Sequence, residues 1–143
     1  MTIHRYNPDK PKKETVFYIQ SHGLHAGRPL KNPIPNSWEL DTENKNAFEI
    51  CFMVYNSKFL KNYLRGSVIP FLSLHEYKKI IKPIFANPVQ FEEMTLKKLK
   101  TLQLLDVAIQ KQEDTKKYYT ELKTAIANEL LKTFSHDKQN TYT

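Results

Sequence analysis

Apolar residues recur along this 143-residue chain with two different periods, and the change between them organises it. From Phe91 to Phe134 they fall at helical spacing without a single Gly or Pro, whereas all eight prolines and all three glycines come earlier. The C-terminal pattern is apolar at Leu96, Leu99, Leu102, Leu105 and Ile109, polar through Gln110–Lys117, and apolar again at Tyr119, Leu122, Ile126 and Leu130. It predicts one long helix, roughly 60 Å at about 1.5 Å per residue. Such a helix is marginal by itself and draws its stability from packing an apolar face. Each seam therefore needs a partner, a second helix or a second copy through residues 96–134. A break at Gln112–Thr115, folding the segment into a hairpin, is the alternative, and no Gly or Pro favours it.

The first 90 residues alternate faster and turn more often. Residues 1–14, with Pro8, Pro11, Lys10, Lys12 and Lys13, read as a basic flexible leader. Thr15–Ser21 is β-branched and aromatic and predicts a strand. Gly23 and Gly27 bracket a turn, and Pro29, Pro33 and Pro35 make Arg28–Asn36 an extended loop outside any helix or central strand. A short strand around Trp38 follows. Ala47, Phe48, Cys51, Phe52, Tyr55 and Phe59 recur every three or four residues, an amphipathic helix with an interruption at Asn56-Ser57 and an end at Gly66. Ser67–Leu72 predicts an edge strand carrying Pro70. Ser73 and Glu76 have the spacing of a capping box, opening a short helix that Pro83 stops. Ile80–Phe85 then reads as a strand, and Asn87-Pro88 as the boundary with the long helix. The expected fold class is α+β: a compact head over 15–88, a helical arm over 89–135 and a tail over 136–143.

Charge sharpens this division. Residues 1–90 hold 13 Lys and Arg against 7 Asp and Glu, while residues 91–134 hold 8 against 7. Nearly all of the net +7 thus belongs to the head, which points to a polyanion, duplex DNA first. The plain alternative is that the charge serves solubility. The loop offers Ser21, His22, His25, Arg28, Lys31 and Asn32 on a proline-stiffened backbone, groups of the kind that meet phosphates. Lys58, Lys61 and Arg65, at i, i+3 and i+7, would share one helix face.

Catalytic chemistry is hard to assemble from these residues. There is no phosphate-binding Gly loop, nucleophile elbow or His-Glu-x-x-His. His22 and His25 lack the further ligands that a zinc ion needs, so no metal and no cofactor are expected. Cys51, the one cysteine, reads as a small buried hydrophobe. With no internal disulfide, no run of ~18 apolar residues and no signal-peptide pattern, the expectation is a non-enzymatic cytoplasmic protein without a membrane segment.

Phe48–Pro83 followed by Leu99–Phe134 resembles the closing half of a target recognition domain and the spacer helix behind it in DNA-specificity subunits of type I restriction–modification systems. Gly66-Ser67, the turn around Leu74, and Leu105, Asp106 and Ile109 carry the likeness. It implies a mixed α/β head that touches duplex DNA, and a spacer helix that pairs through Leu102, Leu105, Ile109, Tyr119, Leu122, Ile126 and Leu130. Such subunits are not catalytic themselves. The head is shorter than a full recognition domain, and the stretch before the helix reads Asn-Pro-Val-Gln-Phe-Glu-Glu, without the family's Pro-rich Glu-Gln pattern. Phe17–Pro33 also resembles small proteins of bacterial mobile elements. The shortness of the head motivates the other reading, a mobile-element interaction factor that engages a helical partner without touching DNA.

Overall fold

The computed structural model describes residues 1–11, 13–86 and 93–137. The chain forms two compact units, Met1–Phe91 and Glu92–Thr143. Lys12, the expected boundary at Asn87-Pro88, the arm's start before Glu93 and the tail from residue 138 lie outside the described residues.

The first unit is built on a four-stranded antiparallel sheet in the order β1-β4-β2-β3. Its strands are β1 (Thr2–Arg5), β2 (Val16–Gln20), β3 (Pro29–Leu30) and β4 (Ser37–Asp41). The register sets Ile3, Leu40 and Phe17 in one row across the sheet, with Trp38 and Ile19 paired in the next. Side chains alternate across a strand. These five therefore share a face, and all five belong to the hydrophobic core. The opposite face carries Tyr18, with Tyr6 set edge-on at 5.4 Å, and an ion pair of His4 with Glu39 at 3.3 Å.

β1 corrects the expectation of a flexible leader. Ile3 is buried against Leu40, and Lys13 holds Asp41 at 3.0 Å, so the segment is fastened at both ends of its described length. That hydrogen bond keeps the half-buried Asp41 carboxyl below its ordinary range. β1 is only four residues long and carries one large apolar side chain, too short a run to show an alternating pattern.

Helices cover the core face. α1 (Ala47–Asn56) buries Ala47, Ile50, Cys51 and Phe52 and ends where expected, at Asn56-Ser57. A 3₁₀ helix over Phe59–Tyr63 follows and buries Leu60. α2 (Leu74–Ala86) buries Tyr77 and Ile81. Its start is the predicted cap, with the Glu76 amide donating to Ser73 Oγ at 3.2 Å. The Glu76 carboxylate does not close the box and instead faces Arg65 at 3.6 Å.

Two expected strands are absent. Ile80–Phe85 is the second half of α2, with Pro83 inside the helix. Proline removes one donor there, but it sits exposed in the closing turns, while Ile80, Ile81 and Phe85 pack on the core. Tertiary burial outweighs the local penalty. Ser67–Leu72 is a tight loop rather than a strand, with Val68 and Ile69 exposed. Arg65 and Phe71 exchange both backbone hydrogen bonds, at 2.9 and 2.8 Å, which closes the loop through Gly66 at φ +91°. A Cβ on Gly66 would lie 2.6 Å from the Ile69 carbonyl oxygen, so the turn requires glycine.

The second unit contains α3 (Glu93–Asp137), 45 residues without interruption. The hairpin alternative at Gln112–Thr115 is therefore overturned. Gln110 bonds Asp114 at 3.0 Å along the helix in that stretch, and Thr115 returns its hydroxyl to the Lys111 carbonyl.

Candidate nucleic-acid interface

The loop from Ser21 to Arg28 is pinned at its base. The Gly27 amide donates to Gln20 at 2.7 Å, and the Gln20 amide donates to Arg28 at 2.9 Å. Gly23 and Gly27 both take positive φ, which lets so short a span reverse direction. Gly27 also faces Leu60 of the 3₁₀ helix so closely that an added Cβ would overlap its Cδ1. His25 bonds the Tyr55 hydroxyl at 2.8 Å, tying the same loop to the end of α1. Gly27→Ala is accordingly expected to cost about 1–3 kcal/mol, from left-handed strain plus overpacking, read as a lowered urea midpoint.

These interactions bring the two basic sets together. His22 and Arg65 each pair with Phe71 through a single bridge, so they flank one residue. The His22 ring stacks on Phe71 at 5.7 Å. Lys58, Lys61 and Arg65 are all exposed, and they follow directly on Tyr55 and surround Leu60 in sequence. They do not share a continuous helix face, which corrects the i, i+3, i+7 reading. Lys58 adopts the left-handed conformation at φ 61°, the helix restarts as 3₁₀, and Arg65 lies in the bridged segment.

Other predicted residues fall elsewhere. Ser21 is 2% exposed and donates to the Asn36 carbonyl, so a phosphate does not reach its hydroxyl. Arg28 is half-buried and already engaged. Lys31 and Asn32 are exposed at the far end of β3, where Lys31 shares a recess with Lys13, Glu14 and Val16. They stand apart from the His22–Arg65 group.

Ser21 still matters, through His22. A carbonyl only accepts, so the Ser21 proton goes to Asn36 and Oγ accepts Nδ1–H of His22, at 2.7 Å. This assignment leaves Nε2 of the neutral ring as the available acceptor. His22 stands at the rim of a cleft of about 520 Å³ that also takes in Arg5, Tyr6, Asn36, Trp38 and Ser73. Sequence reasoning misses Arg5 and Tyr6 as site residues because it places them in a flexible leader. The register gives the reason for Arg5's place, opposite Trp38 at the sheet edge.

Cys51 is far less reactive than an ordinary thiol. Burial pushes it up to about 12, and it touches the Tyr77 phenol in the core. Among the described residues, no three His, Cys, Asp or Glu side chains gather as a metal would require, and no helix is long and apolar enough to cross a membrane.

On α3, Leu102 is half-buried, while Leu105, Ile109, Tyr119, Leu122, Ile126 and Leu130 are exposed, from 43% for Leu122 to 63% for Tyr119. Leu104, Val107, Tyr118, Leu131 and Phe134 add to that exposed apolar surface and fall outside the predicted seam. Thr120 and Thr124 turn their hydroxyls back to carbonyls of the preceding turn, so their polar groups are satisfied within the helix.

The profile of a family of unknown function, DUF6943, matches residues 3–129. The chain belongs to that family. The matched span opens within β1 and runs deep into α3, so strand, head and helix are all part of the family's unit. No curated protein matches the chain.

Proposed function

We propose that this DUF6943 member is a non-catalytic cytoplasmic module that binds duplex DNA with the basic side of its first unit and assembles through α3. The observation that carries the proposal is the apolar surface of α3, where eleven large side chains from Leu104 to Phe134 are exposed on one uninterrupted helix. Surface of that extent marks an interaction site. The DNA half draws on the charge excess of the first unit and on the joining of the 22–28 loop to the 58–65 segment, which sets His22, His25, Lys58, Lys61 and Arg65 on adjoining backbone. Exposed lysines on a pinned backbone suit phosphates, since little freedom is lost on binding. The likeness to specificity subunits, themselves a DNA-reading head with a pairing helix, agrees with both halves.

Gel retardation of a mixed-sequence duplex at low salt tests the DNA half. Retention that weakens steeply as salt rises is expected. No retention of any duplex leaves the second reading, a mobile-element interaction factor that engages a helical partner through the same α3 surface without DNA.

A further inference from the structure

We propose that the cleft bounded by Arg5 and His22 binds a small organic anion built on a flat ring that carries an N–H or O–H donor. The cleft lies where the end of β1, the end of β2 and the start of β4 meet the segment leading into α2. Backbone hydrogen bonds lock that junction. The Tyr6 amide donates to Ser37 at 3.1 Å, the Ser21 amide to Asn36 at 3.0 Å, and the Leu72 amide to Ser21 at 2.9 Å. Its walls are thus set before any ligand arrives, which lowers the cost of binding. At about 520 Å³ it falls within the range of small-molecule sites, roughly 300–1,000 Å³.

The lining selects the ligand. Arg5 is its one formally charged side chain and no carboxylate joins it, so the cleft attracts an anion. Among the described residues the exposed Arg5 guanidinium has no ion-pair or hydrogen-bond partner, which leaves its fork to a carboxylate or a phosphate monoester. Ser21 fixes the His22 tautomer, leaving Nε2 to accept an N–H or O–H of the ligand. Aromatic rings supply the rest: Tyr6, Trp38 and Phe71 line the cleft, and His22 stacks on Phe71. Such rings meet a flat ligand edge-on or in offset stacks. Nucleoside monophosphates and hydroxylated or aminated aromatic carboxylates share this chemistry.

Calorimetric titration of the full chain without DNA decides the matter, with Trp38 fluorescence as a second reading from the cleft wall. Adenosine and uridine monophosphates test the phosphate source, para-hydroxybenzoate and anthranilate the carboxylate source. Submillimolar binding in at least one arm is expected. Inorganic phosphate and acetate, which lack the ring, and benzoate, which lacks the donor, should bind at least ~10-fold more weakly. Arg5→Gln is expected to weaken binding about 10- to 100-fold with the urea midpoint unchanged, and Arg5→Lys to recover only part of that loss. Lys31→Gln removes the same charge at the far end of β3 and should leave the affinity as it was. No submillimolar binding of any ringed acid, equal binding of the ringless anions, or a folded Arg5→Gln that binds like the wild type overturns the site. A chain that retains no duplex and still takes a ringed acid loses only the DNA reading.

Discussion

Tyr77→Ala is expected to leave the first unit largely unfolded at room temperature. Its ring has no exposed surface, packs on Trp38 at 5.3 Å, and joins α2 to the sheet at the centre of the core. Truncating a buried aromatic costs roughly 3–5 kcal/mol, a large part of the roughly 5–15 kcal/mol that small domains possess. Tyr77→Phe should behave in the opposite way. The phenol oxygen finds no nitrogen or oxygen partner and has only the Cys51 thiol, a weak one, beside it. Removing an unsatisfied buried hydroxyl is expected to be neutral or to stabilise by up to about 1 kcal/mol. Trp38 is the single tryptophan and is buried, so its fluorescence follows this unit without interference from the helical signal of α3.

The same pair predicts an alkaline limit. Burial raises the Cys51 thiol from 9.0 to about 12 and the Tyr77 phenol well above 10.0. Folded protein therefore keeps both protons at a pH where the unfolded chain has released them. Their contribution is fully present below pH 9 and diminishes as pH rises from there toward 12. Denaturation midpoints should fall across that window in the wild type and fall less in Tyr77→Phe and Cys51→Ala. Equal slopes in all three would remove the pair from the account.

How much of this was legible beforehand depended on whether local pattern and tertiary burial agreed. In α3 they need not compete, because apolar residues recur at helical spacing and no Gly or Pro favours a break over its 45 residues. β2 and β4 combine β-branched or aromatic residues with a buried face, and α1 shows its period over ten residues. Where pattern and packing conflicted, packing prevailed. Pro83 suggested a stop, yet the Tyr77–Ile81 spacing buries one face of a helix that continues past it. Val68 and Ile69 suggested a strand, yet the Gly66 turn consumes that segment in a loop closed by Arg65 and Phe71. The site followed the same logic. A serine in a polar loop gives no sign that its hydroxyl is turned inward, as Ser21's is, and Arg5 gained its place only because β1 pairs with a strand more than thirty residues away. Joining of the loop to the 58–65 segment is likewise a long-range event, made by Phe71, Tyr55 and Leu60.

That joining makes the second large prediction, since it sorts lysines that the sequence treated alike. Lys58→Gln with Lys61→Gln removes two cations from the segment packed against the 22–28 loop, and neither side chain is buried. Each phosphate left without its cation should lower the slope of log affinity against log salt by about 0.9, so the pair should lower it by about 1.8. Affinity at low salt should drop roughly 10- to 100-fold. Lys31→Gln removes the same charge from the far end of β3, beside Lys13 and Glu14. If duplex is held by the face around Phe71, that substitution should leave the slope nearly where it was. Charge acting only through the net +7 of the chain would instead make each lysine count equally, whatever its position. A slope that responds to Lys31 as strongly as to Lys58 would therefore dissolve the interface into a general attraction. An unequal response would fix the DNA on the side of the molecule that Gly27 and Phe71 build.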